Sequence, residues 1–61
     1  LPDAPRLRQT LDLLLSGLSK QEIAREMNLS SHTVHDYIRA VYKHYGVATR
    51  ARLMALWIRK P

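Results

Sequence analysis

Leucine recurs at positions 7, 11, 14, 15 and 18, the spacing of a helix that turns one face to a core, and Leu13 widens that stripe. Arg6, Arg8, Gln9 and Asp12 fall mostly on the opposite, wet side. The pattern predicts a first helix over 5–16. Pro5 suits the first helical position, where a missing N–H leaves nothing unpaired, whereas Ala4, or Asp3 before it, makes an uncertain start because alanine caps poorly. A second helix is predicted over 19–28. Ser19 followed three residues later by Glu22 is a capping-box pattern, and Ile23 and Met27 form the inward pair, with Ala24 beside them. A third helix is predicted to begin after Ser30, the expected N-cap, and to end near Tyr45. Val34, Tyr37 or Ile38, Val41 and Tyr45 line its inner face; His32, His35, Asp36, Arg39 and Lys43 line the outer one. A fourth is predicted over 49–60, capped by Thr49, with Arg59 and Lys60 at the negative end of the helix dipole. Gly17 and Gly46, the only two glycines, each follow an apolar-periodic run, as helix stop signals do. No segment alternates as a strand would, so the expected fold is all-α: one four-helix domain spanning 1–61.

The fourth helix carries two apolar stripes. Leu53, Leu56 and Trp57 suffice to cover the core, while Ala51, Met54, Ala55 and Ile58 form a second set. A small domain rarely buries both faces of a terminal helix. The second stripe therefore reads either as a two-fold dimer contact or as the edge of a wide core face.

Helices two and three are separated by only a few residues, around Asn28, Leu29 and Ser30. A helix-turn-helix makes four demands on such a pair. Ala24 supplies a small residue at the close approach. Asn28 tolerates a left-handed backbone at the turn. Leu29 plugs the turn into the core, and Val34 packs back on the second helix. Ile23 and Met27 complete the apolar set. In this motif the later helix, about 31–45 here, enters the major groove of DNA.

Charge sharpens that reading. Ten Lys and Arg oppose five Asp and Glu in 61 residues, a net charge of +5 that favours a polyanionic partner. Nucleic acid is the first such partner and an anionic membrane surface the second; no apolar run approaches the length of a membrane span and no signal-peptide pattern appears, and no membrane partner is expected. Cysteine is absent, which excludes a disulfide framework and suits a reducing compartment; a cytoplasmic location is expected. The chain starts at Leu1, and it reads as a piece of a longer protein.

Chemistry can be assigned to the outer face of the third helix. Arg39 can bond guanine bidentately, and Asp36 can accept from a cytosine amino group. Ser31, Thr33 and the helix N-terminus can hold phosphate, as can Lys20 and Gln21 at the start of the second helix. Tyr37 can pack with its ring and reach phosphate with its hydroxyl. His32 and Asp36 stand one turn apart, but no cysteine or second histidine-rich element closes a metal site, so neither a metal nor a cofactor is expected. Ser30, Ser31 and His32 raise nucleophilic catalysis; Ser30 is better explained as a helix cap, and so short a chain has little room for a substrate cleft. No enzymatic activity is expected.

The stretch from Gly17 to Arg39, continued by Lys43 through Arg50, resembles the LuxR-type (LuxR/FixJ) helix-turn-helix domain of bacterial transcription regulators. Gly17, Ser19, Glu22, Ile23, Ala24, Ser30, Thr33, Val34, Gly46, Val47 and Arg50 match its pattern, and Pro5, Arg6 and Leu11 extend the match through the first helix. The resemblance implies a four-helix domain whose third helix reads the major groove and whose fourth often forms the dimer contact, here through Ala51, Met54, Ala55 and Ile58. It implies base contacts from His35, Asp36 and Arg39, and backbone contacts around Gln21, Ser31, Thr33, Tyr37 and Lys43. It further implies a C-terminal output domain, with a sensor or receiver domain in the same full-length chain. The family usually has Lys or Arg where His35 stands and His where Tyr37 stands, so the DNA sequence read should differ from that of relatives. Two alternatives resemble the same motif: the promoter-reading C-terminal region of a sigma factor, for which a full fourth helix with a second apolar stripe is the discriminator, and a helix-turn-helix repurposed for protein–protein interaction.

Overall fold

The structure is a computed structural model that describes residues 4–58. Within them the chain forms four α-helices: α1 Pro5–Leu15, α2 Lys20–Met27, α3 Ser31–Tyr45 and α4 Arg50–Ile58. No strand occurs among the described residues. The expected roles of Asp3, Arg59 and Lys60 lie outside the described residues.

Local chemistry sets most boundaries. Pro5 opens α1, and Ala4 offers no side-chain cap. Ser19 and Glu22 form the full capping box: the Ser19 N–H donates to the Glu22 carboxylate at 2.7 Å, and the Glu22 N–H donates to the Ser19 hydroxyl at 3.2 Å. Ser30 caps α3 by accepting from the Thr33 N–H at 3.2 Å. The Thr49 hydroxyl accepts from the Arg52 N–H at 3.2 Å and so caps α4.

The first three helices end alike. A residue with positive φ closes each: Gly17 at 92°, Asn28 at 56° and Gly46 at 67°. The next residue then donates back five positions, from Leu18 to the Leu13 carbonyl, Leu29 to Ala24, and Val47 to Tyr42. This is the Schellman closure, in which a left-handed residue lets the chain satisfy the last carbonyls and turn an apolar residue inward. Leu18, Leu29 and Val47 are those apolar residues, and all three pack against the core.

The core consists of Leu11, Leu14, Ile23, Ala24, Met27, Val34, Val41 and Leu53. The leucine stripe of α1 divides in depth: Leu11 and Leu14 are buried, whereas Leu7, Leu13, Leu15 and Leu18 pack at its margin. Thr10 is also completely buried, a position the apolar pattern passes over. Its hydroxyl lies 2.9 Å from the Arg6 carbonyl oxygen and 3.4 Å from Met27 Sδ, so the polar atom is satisfied inside the core.

One expected core residue is corrected. Leu56 was grouped with Leu53 and Trp57 but is 45% exposed. The inward line of α4 is Arg50, Leu53 and Trp57: Leu53 is fully buried, Arg50 and Trp57 half-buried. At about 100° per residue Leu56 lies beyond the edge of that line. Trp57 meets Tyr45 of α3 edge-to-face at 5.3 Å, a favoured arrangement for aromatic pairs.

Candidate nucleic-acid interface

The joint between α2 and α3 meets all four helix-turn-helix demands. Ala24, Ile23 and Val34 are buried at the crossing, Met27 seals it, and Asn28 takes left-handed φ and ψ of 56° and 46°. Leu29 packs inward directly after the turn. With this face committed to the core, the rest of α3 has to look outward. His32, His35, Asp36, Arg39 and Lys43 are all exposed, whereas Val34 and Val41, on the other side of the same helix, are fully buried.

The flanking groups fall into two sets. Ser31, Lys20 and Gln21 are exposed near the starts of their helices. Thr33 and Tyr37 are half-buried. The Thr33 hydroxyl accepts from the Ser30 hydroxyl at 3.0 Å, which ties it into the cap. Tyr37 and Ile38, between which the sequence leaves the inward position open, share it: both are partly buried against the core.

Arg39 and Lys43 sit on one side of an open cleft of about 480 Å³ whose other walls include Ala40, Tyr42, Val47 and Ala48. The loop joining α3 to α4 is thus brought beside the two cations. Gly46 and Val47 of this loop belong to the family pattern, but nothing local in the sequence places the loop next to Arg39. Near the other end of the outer face, His32 Nε2 lies 3.9 Å from Asp36 Oδ2, with the side chains 87% and 61% exposed. A pair this open to water contributes little to stability. Among the described residues no group of three or more His, Asp or Glu side chains comes together as a metal site would need.

Glu22 is clearly displaced from its ordinary value. The backbone hydrogen bond from Ser19, reinforced by the Ser19 side chain and by Arg25 and Arg50, holds its carboxyl below the usual carboxylate range. Arg50, which the sequence offered only as a family match, donates from Nη2 to the Leu14 carbonyl at 2.7 Å and ties α4 to the end of α1.

The profile of the bacterial regulatory proteins of the luxR family matches residues 4–57. This chain belongs to the luxR family. A probable HTH-type transcriptional regulator, GfsR of Streptomyces halstedii, is 38% identical over 58 residues, covering 95% of this chain and 24% of GfsR. The chain therefore spans about a quarter of that relative's length. No solved structure matches it significantly. As a luxR-family domain it is a DNA-binding helix-turn-helix of transcription regulation, with α2 and α3 forming the motif. The family is one of regulatory proteins rather than of enzymes. None of the described helices is long and apolar enough to cross a membrane.

Proposed function

We propose that this domain binds double-stranded DNA sequence-specifically, with α3 lying in the major groove. The observation that carries this reading is the division of α3. Val34 and Val41 anchor one side in the core, and His32, His35, Asp36, Arg39 and Lys43 line the other in water. A helix with its side chains, about 10–12 Å across, fits a major groove about 12 Å wide. On this reading His35, Asp36 and Arg39 meet base edges. Lys20, Gln21, Ser31, Thr33, Tyr37 and Lys43 meet phosphates, which position the helix without reading sequence.

The domain acts as the output end of a longer cytoplasmic regulator that also carries a sensor or receiver domain. Two copies associate on DNA through α4, where Ala51 and Ile58 are exposed and Met54 and Ala55 are half-buried. Leu56, displaced from the core, adds to the apolar surface of that helix. A completed α4 with this second surface also favours a regulator over a sigma-factor region.

Selection of a randomised duplex pool at two salt concentrations, with sequencing of the bound fraction, tests the proposal. An enriched two-fold motif with salt-dependent affinity is expected, its half-sites about 34–36 Å apart. Weak binding without enrichment, lost at the higher salt, would leave only a basic surface.

A further inference from the structure

The outer face of α3 carries two histidines and one acid among its five exposed residues. Arg39 and Lys43 against Asp36 leave that face with a net charge of +1 when both imidazoles are neutral, and +3 when both are protonated. No other side chain type changes its charge between pH 5 and 8 at its ordinary pKa. The elements packed against α3 supply fixed charges: Arg6, Arg8 and Asp12 on α1, Lys20, Glu22, Arg25 and Glu26 on α2, Arg50 and Arg52 on α4. Among the described residues, Asp36 is the only acid within ion-pair distance of either histidine.

We propose that DNA binding by this domain is proton-linked through His32 and His35, with His32 acting as a positioning residue for Asp36. The proposal rests on the assignment of α3 as the DNA-contacting helix. With His32 neutral, the Asp36 carboxylate stands uncompensated on a surface that must approach phosphates. With His32 protonated, its imidazolium lies one turn from that carboxylate, at 3.9 Å in the free protein. Pairing through Oδ2 offsets the acid's charge and leaves Oδ1 for a base edge. His35, on the same face, then supplies a cation only in its protonated form. Water is displaced as the helix enters the groove, and both effects strengthen there because the local dielectric falls.

The sign follows from linkage. The phosphate field favours protonated imidazoles, so the proton is held more tightly in the complex than in the free protein. The added affinity is therefore present at acid pH, where the imidazoles carry their protons, and is lost as pH rises. Each unit of such a shift is tenfold in affinity. The salt dependence steepens with protonation, by about 0.9 per cation that meets a phosphate.

The test uses the duplex enriched from the randomised pool, titrated at pH 6, 7 and 8 at fixed ionic strength, with circular dichroism to confirm equal helix content. Binding of the unmodified chain should tighten about tenfold or more from pH 8 to pH 6. The double variant H32Q/H35Q should change less than about twofold, H32Q alone should keep only part of the slope, and H44Q, outside the proposed pair, should keep all of it. A flat profile for the unmodified chain, an undiminished slope in H32Q/H35Q, or loss of the slope in H44Q overturns the linkage while leaving DNA reading intact. Failure to bind any duplex at every pH overturns both.

Discussion

Arg50 Nη2 donates to the carbonyl oxygen of Leu14 at 2.7 Å, across 36 positions of sequence. The acceptor lies in the last turn of α1, where carbonyls lack partners within the helix and carry the negative end of its dipole. The Leu14 oxygen already accepts from the Gly17 N–H at 3.1 Å, so the guanidinium adds a second hydrogen bond and neutralises the end charge. It also fixes the start of α4, which is held further along by Leu53 in the core and Trp57 on Tyr45.

Arg50→Ala should therefore loosen α4 before the rest of the domain. A hydrogen bond to a charged group is worth about 1.5–3 kcal/mol, and partial exposure of Arg50 puts the expected loss near the bottom of that range. Urea unfolding followed through Trp57, the only tryptophan, should show a lower midpoint. Arg50→Lys should recover only part, since a point charge lacks the planar fork. An unchanged midpoint in Arg50→Ala would mean that the contact contributes nothing net.

The turn between α2 and α3 rests on a non-glycine residue with φ of 56°. Left-handed backbone costs an ordinary L-residue about 1–2 kcal/mol, and asparagine bears it better than most. Asn28→Ala should lower stability by about 1 kcal/mol, whereas Asn28→Gly should stay close to the parent. Thermal unfolding of both variants checks this. Equal effects would show that the side chain, and not the backbone angle, matters.

What the sequence made legible here is what is local. The caps at Ser19 and Ser30, the left-handed turn at Asn28 and the terminal glycines each depend on residues within one turn, so their spacing announced them. The outer face of α3 was legible for the same reason: the buried Val34 and Val41 leave His32, His35, Asp36, Arg39 and Lys43 nowhere else to point. Contacts that depend on how one helix lies against another were not. Thr10 looks polar in sequence and is buried because its hydroxyl can bond back to Arg6 and reach Met27. Leu56 looks like core and is not, because α4 is rotated so that Arg50, Leu53 and Trp57 face inward and Leu56 falls outside that line. The cleft wall formed by Val47 and Ala48 depends on where the α3–α4 loop returns.

The capping box gives stability a specific acid dependence. The folded-state pKa of Glu22 is held below its ordinary value, chiefly by the Ser19 N–H. Its contribution is complete above the unfolded carboxylate value, about 4.3, and disappears as pH falls through the folded one. Urea midpoints of the parent should fall more between pH 7 and pH 3 than those of Glu22→Gln, which cannot ionise. Parallel decline in the two proteins would remove Glu22 from the acid response.

Arg39 and Lys43 lie one turn apart but are expected to fail differently. If Arg39 meets a base, Arg39→Ala should cost about 1–3 kcal/mol and relax preference at one base pair. Lys43→Ala should weaken all sequences alike and reduce the salt slope by about 0.9. Competition binding over single-base variants of the selected duplex, repeated across salt, separates the two. Uniform weakening by Arg39→Ala would make it a phosphate contact, and an unchanged slope in Lys43→Ala would take that residue out of the footprint.

The outer surface of α4 offers the clearest separation of folding from assembly. Ile58 is 77% exposed, so Ile58→Glu should leave stability within about 0.5 kcal/mol, as surface changes usually do. Met54→Glu is harsher, because Met54 is half-buried, and the pair of variants guards against a loss that is merely structural. If α4 pairs on DNA, each glutamate meets its two-fold copy across the interface, and like charges repel where apolar groups were joined. Analytical ultracentrifugation with and without the two-fold duplex should show the parent filling both half-sites together and the variants filling them singly, with affinity for an isolated half-site preserved. Because an isologous contact places the same patch on both partners, one substitution counts twice in the dimer. Cooperativity unchanged in both variants would place the dimer contact elsewhere than on this face of α4.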